Sequence, residues 1–124
     1  LDLRVGRPAA LAYRPDGQAV AAGGAGGAVR LWNPTTGADL GACQGHAAGV
    51  RAVAFRPDGR LLATGSLDRT VKLWDPRTGE ERATLEGHAA AVSALDFAPD
   101  GTALVSGDTA GTVLLWPLPP PRGD

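Results

Sequence analysis

The sequence predicts an all-β fold made of tandem four-stranded antiparallel units, and three observations carry that prediction. Trp32, Trp74 and Trp116 recur every 42 residues. The turn sequences Arg14-Pro15-Asp16-Gly17, Arg56-Pro57-Asp58-Gly59 and Ala98-Pro99-Asp100-Gly101 keep the same step, as do Gly45-His46 and Gly87-His88. Between these landmarks lie short runs rich in β-formers, punctuated by 18 glycines and 10 prolines in 124 residues. A fixed period of this size means that function is read from repeats and not from a single catalytic pocket.

The second unit is the most complete and justifies the elements in order. Gly49 to Phe55 reads as a strand, and Arg56-Pro57-Asp58-Gly59 reverses the chain: Pro57 presets φ, Asp58 accepts a local backbone hydrogen bond, and Gly59 tolerates positive φ. Leu61 to Ser66 is the next strand. After a turn around Leu67-Asp68-Arg69, Thr70 to Asp75 is a third, and Pro76-Arg77-Thr78-Gly79 leads into a fourth near Glu81 to Leu85. Val50, Ala52 and Ala54 alternate with Val53 and Phe55, so this sheet is apolar on both faces and needs cover on both. Four-stranded units repeated in tandem obtain that cover by stacking face to face around an axis, as blades of a β-propeller.

The units divide the chain at 1–46, 47–88 and 89–118, with a Pro-rich tail at 119–124. Aligning Ala47–Trp74 with Ala89–Trp116 leaves about half of the positions identical. In the third unit Pro117 follows the tryptophan and Pro119-Pro120-Pro121 cannot donate to a sheet, so its outer strand is expected to be lacking. Leu1 aligns with Cys43 and Leu85, at the end of what would be a preceding fourth strand, and no methionine stands at position 1. A processed product or a segment of a longer protein is the expectation.

Gly45-His46, Thr64-Gly65-Ser66-Leu67-Asp68 and Val71-Lys72-Leu73-Trp74-Asp75, followed by Gly87-His88, resemble the signature of the WD40 repeat family. The resemblance covers the chain up to Trp116. It implies a hydrogen-bonded structural tetrad in the middle unit: Trp74, Thr64 or Ser66, His46 and Asp68. The chemistry is consistent, because an indole N–H donates only, a hydroxyl both accepts and donates, an imidazole bridges, and a carboxylate accepts. In the third unit His88, Ser106 and Trp116 form a partial tetrad, since Ala110 replaces the turn aspartate; Asp108, two residues earlier, is the candidate substitute. In the first, Leu3-Arg4, Ala22 and Gly26 stand where the tetrad residues would be, leaving Trp32 alone. One locked blade between two looser ones is expected.

Composition narrows the function. A net charge of −1 and a pI near 6.1 give no basic field for nucleic acid, and no apolar run is long enough for a bilayer. Cys43 is the only cysteine, so neither an intrachain disulfide nor a cysteine zinc site is expected; it reads as a small buried hydrophobe. His46 and His88 recur in register, which assigns them to structure and not to metal or base chemistry. A hydroxyl occupied by an indole likewise argues against reading Thr64, His46 and Asp68 as a hydrolytic triad. Gly23 to Gly27 lacks a following Lys-Ser/Thr and opens a strand, so it reads as a turn and not as a phosphate loop. Arg122-Gly123-Asp124 matches an adhesion tripeptide by chance.

The expected function is therefore a scaffold without cofactor, metal or catalysis, presenting loops to protein or peptide partners, with a cytoplasmic location. The resemblance places the rim of the channel entrance at Gly49, Arg51, Leu67, Ala91, Ser93 and Thr109, where Arg51 can offer a forked contact to a carboxylate. Three units do not close a ring, since propellers use four to eight blades. Either further blades complete the ring or copies associate, two giving six blades and three giving nine. The second reading is a self-assembling structural module.

Overall fold

A computed structural model describes residues 7–119. Among these residues eleven strands fall into three antiparallel sheets that follow chain order without crossovers. The first contains β1 (Pro8–Tyr13), β2 (Val20–Gly24), β3 (Ala28–Trp32) and β4 (Asp39–Gln44). The second contains β5 (Val50–Phe55), β6 (Leu62–Ser66), β7 (Val71–Asp75) and β8 (Glu80–Leu85). The third contains only β9 (Val92–Phe97), β10 (Ala103–Asp108) and β11 (Val113–Pro117). The expectations for Leu1, Leu3-Arg4 and Arg122-Gly123-Asp124 lie outside the described residues, as does most of the Pro-rich tail.

Each β1/β2-type hairpin closes on the repeated turn. Gly17, Gly59 and Gly101 amides donate to the carbonyls of Arg14, Arg56 and Ala98 at 2.7 to 2.9 Å. The aspartate carboxylates accept from the next amides, Gln18, Arg60 and Thr102. This is the Asx geometry that the sequence predicts.

Among the described residues the third sheet has no fourth strand, and the residue that follows its tryptophan differs from those of the other two sheets. In the second sheet Asp75, almost fully buried, accepts from the Arg77 amide at 2.9 Å and from Arg82, while its carbonyl accepts from Gly79. Asn33 makes the equivalent turn in the first sheet, its side-chain oxygen accepting from Thr35 and Thr36. Pro117 holds that position in the third and offers no side-chain acceptor.

The sheets stack with their first strands nearest one another, β1 along β5 and β5 along β9, and no ring is closed. Two cores result. Between the first and second sheets, Val29, Leu31 and Cys43 meet Val50, Phe55 and Leu62. Between the second and third, Ala63, Val71 and Leu73 meet Val92, Phe97 and Leu104. The same columns of the repeat thus build both interfaces. Each side chain of the Leu or Val type buried there contributes roughly 1.5–3 kcal/mol.

Candidate functional site

Two features emerge from the repeat: a chain of buried polar side chains inside the sheets, and a rim where the first strands begin, at which Arg51, Leu67, Ser93 and Thr109 are exposed, Ala91 is half-buried and Gly49, against expectation, is buried. In the second sheet the Trp74 indole donates to Thr64 Oγ1 at 2.8 Å, and Thr64 Oγ1 lies 2.6 Å from His46 Nε2. His46 Nδ1 lies 2.8 Å from Asp68 Oδ2. Because the hydroxyl already accepts from the indole, it donates to Nε2, which leaves the imidazole proton on Nδ1 facing the carboxylate. Asp68 also accepts from the amides of Ala47 and Thr70 and from the Thr70 hydroxyl.

The electrostatics follow from burial and partners. Burial lowers the His46 pKa below the usual imidazole value, against the opposing pull of Asp68, so the ring is neutral at pH 7. Desolvation raises Asp68, but hydrogen bonds from Thr70, His46 and the Ala47 amide outweigh it and bring the carboxyl to about 2. Burial, with the charge of Asp75, pushes the Cys43 thiol up to about 11, so it stays protonated and inert. Thr64 is fully buried and its oxygen is engaged on both sides, which leaves no approach for an electrophile.

Two expectations need correction. Ser66 does not belong to this chain: its hydroxyl donates to the carbonyls of Gly49 and Ala48 and accepts from the Asp68 amide, pinning the turn that follows β6. The third sheet is also not a partial set. His88 Nδ1 lies 2.8 Å from Asp108 Oδ2, His88 Nε2 lies 2.6 Å from Ser106 Oγ, and the Trp116 indole donates to Ser106 at 2.7 Å. Asp108 occupies the column of Ser66, yet its longer carboxylate reaches the imidazole and also accepts from the amides of Ala110 and Thr112. Those bonds, the one from His88 first, lower its pKa. Two sheets therefore carry closed hydrogen-bonded chains. In the first, Ala22 is buried, Gly26 is exposed, and Trp32 makes no side-chain hydrogen bond among the described residues.

The rim residues come together as backbone neighbours. The Leu67 amide donates to the Gly49 carbonyl at 2.9 Å and the Thr109 amide to the Ala91 carbonyl at 3.0 Å, tying the turn before each third strand to the start of each first strand. A Cβ on Gly49 would stand 3.3 Å from Ala25 Cα, so this glycine lets the neighbouring sheet approach. Pairing slips between Val50 and Ala52 and again around Ser93, so Arg51 and Ser93 sit on β-bulges, as does Ala9 in β1. A bulge re-aims its side chain away from the ladder. Arg51 is exposed and makes no hydrogen bond or ion pair among the described residues. Sequence reasoning misses these bulges, and it misses Ala25 as a rim residue, although the 42-residue offset from Leu67 points to it.

Of the Gly23 to Gly27 segment only Ala25 to Gly27 forms the β2–β3 turn, with Gly27 at φ 80°, whereas Gly23 and Gly24 are the last residues of β2, a correction to the expected turn. Beside it, Gly26 to Ala28 and Gln44 to His46 line an open cleft of about 320 Å³ that holds no charged side chain. Among the described residues no three His, Cys, Asp or Glu side chains gather as a metal site.

The family profile described as "WD domain, G-beta repeat" matches residues 8–33, 37–75 and 79–117. No curated protein sequence matches the chain. Among solved structures, "Structure of U3-55K" is similar with a TM-score of 0.88 and 25% identity, over 93% of this chain and 38% of that one. The chain thus spans well under half the length of that protein. With 1096 solved chains matching, likeness of fold does not single out a partner.

Proposed function

The chain belongs to the WD40 repeat family, and we propose that it is a non-catalytic scaffold whose rim binds a protein or peptide segment carrying a carboxylate. The observation that carries this reading is Arg51: an exposed residue on a bulge, with no hydrogen-bond or ion-pair partner among the described residues. An arginine fork that makes no hydrogen bond or ion pair among the described residues has its donors available to a planar anion. The buried hydrogen-bonded chains fix the strands that aim it and do no chemistry of their own.

Binding of acidic and neutral peptides of equal length, followed by fluorescence anisotropy, tests the proposal. Acidic peptides should bind more tightly, and Arg51→Ala should weaken them about tenfold, the loss of one charge-assisted contact. Arg51→Lys should recover only part, because a point charge lacks the fork. Equal binding by the two peptide classes, or indifference to Arg51→Ala, would refute it.

A further inference from the structure

The two outermost sheet faces are unequal to any buried face yet carry the same columns. On the third sheet Val113 and Leu115 are 69% and 65% exposed, whereas Val71 and Leu73, their counterparts in the second, are 0% and 5%. On the first sheet Leu11 and Tyr13 are 68% and 67% exposed, whereas Phe55 and Phe97, in the column of Tyr13, are buried. Each exposed face is therefore one half of an interface that the chain already builds twice.

A glycine shows that the third sheet's face is shaped for an occupant. At both internal interfaces the β2-type strand carries a glycine against which a valine from the next sheet sits. A Cβ on Gly23 would stand 2.6 Å from Val50 Cγ1, and one on Gly65 would stand 2.5 Å from Val92 Cγ1. Gly107 keeps the same notch, but the nearest atom to a Cβ there is Ala94 Cβ at 3.8 Å, within its own sheet. Glycine inside a strand is less favourable than alanine, and nothing among the described residues requires it at 107. The residue in the Val50 and Val92 column that remains without a notch is Pro8, exposed at the start of β1.

The departures from the internal template are complementary. Where Ala12 and Ala54 stand at the interfaces, the third sheet presents an exposed Asp96. Where Phe55 and Phe97 stand, the first sheet presents Tyr13, the one aromatic of the three with a hydroxyl. Ala54 packs against the cluster that contains Phe97. The same stacking would bring the Tyr13 O–H to the Asp96 carboxylate, supplying the donor that a covered carboxylate needs.

We propose that the exposed face of the third sheet is a docking site for the first sheet of a second copy of this chain, so that two copies close head to tail into one six-bladed ring. Six blades lie within the closed range, and closure hides both apolar faces at once. The proposal is independent of what the rim binds.

Light scattering on the purified chain is the test, with a dimer of twice the 12.6 kDa chain mass expected at micromolar concentration. Leu115→Lys and Tyr13→Asp each damage one face, so each should give a monomer, with near-ultraviolet circular dichroism of the tryptophans reporting that the sheets remain folded. Mixed in equal amounts, the two variants still hold one intact pair of faces and should again form a dimer. Gly107→Val should give a monomer by filling the notch, and Tyr13→Phe should weaken dimerisation about tenfold by leaving Asp96 without its donor. A monomeric unmodified chain would overturn the proposal, as would a dimer indifferent to Tyr13→Asp or a ladder of sizes that grows with concentration. If Leu115→Lys unfolds, Gly107→Val and Tyr13→Asp decide the matter.

Discussion

Asp108→Ala should destabilise the chain about as much as Asp68→Ala, although only Asp68 occupies the turn position expected of the repeat. Removal of Asp108 leaves the His88 Nδ1 proton facing no acceptor in a site where both side chains are fully buried. The amides of Ala110 and Thr112 also lose their acceptor, but both residues are exposed and water replaces it. The dominant loss is one buried hydrogen bond to a charged group, about 1.5–3 kcal/mol. Asp68→Ala loses the His46 bond, two amide bonds and the Thr70 hydroxyl bond from a slightly more open site, and falls in the same range.

For a chain of this size such a loss lowers Tm by roughly 5–15 °C. Thermal melts followed by tryptophan circular dichroism measure it, with Asp100→Ala as the control: that carboxylate is exposed and bonds only to Thr102, so its loss should cost under about 1 kcal/mol. A double-mutant cycle with His88→Ala should give a coupling of about 0.5–3 kcal/mol. If Asp108→Ala melts with Asp100→Ala while Asp68→Ala melts far lower, the third sheet's chain is open and the reasoning fails.

Gly27→Ala should be worse than Gly111→Ala. Both residues hold positive φ, but a Cβ on Gly27 would stand 2.6 Å from the His46 carbonyl oxygen, whereas one on Gly111 meets nothing. Gly111→Ala should cost about 1–2 kcal/mol from backbone conformation alone, and equal melting of the two variants would contradict the close approach. Acid should weaken the fold in two stages. His46 has a folded pKa below the unfolded value of 6.5, so the unfolded chain binds more protons and stability falls as pH drops below about 6.5. Asp68 titrates from 3.8 unfolded to about 2 folded; its contribution is present above 3.8 and is lost as pH falls toward 2. Melting temperatures from pH 8 to 3 should therefore be level at first and then decline, and Asp68→Asn should flatten the lower stage.

The period made most of the fold legible, because the tryptophans and the Pro-Asp-Gly turns repeat in phase in all three units. Trp74, Thr64, His46 and Asp68 were legible for the same reason, up to the choice of hydroxyl. Thr64 and Ser66 lie on the same face of β6, so strand alternation does not separate them. Position along the strand does, since Leu62 pairs with Trp74 and Ser66 lies at the far end beside Gly49. Asp108 was legible only as a candidate, because a fixed offset assigns the acceptor to the column of Ala110, and only side-chain reach shows that another column supplies it. The bulges at Arg51 and Ser93 depend on how two strands pair, which neither strand's own residues announce.

The unequal polar chains obey one physical rule. Removing a single member of a buried hydrogen-bonded set strands its neighbour at full desolvation cost, whereas removing matched partners together is nearly neutral. In the third sheet Ala110 is tolerated because Asp108 keeps His88 satisfied. In the first, Ala22 and Gly26 replace both the hydroxyl and the carboxylate columns, and no buried polar side-chain atom among the described residues lacks a partner. Trp32 makes no bond there, so its indole N–H keeps access to water. The first sheet is consequently held by packing of Val29, Leu31 and Cys43 against its neighbour, without a polar chain to fix its own strands. It is also the sheet whose outer face bears Leu11 and Tyr13, so the least internally fixed sheet has the most to gain from a blade on its free side.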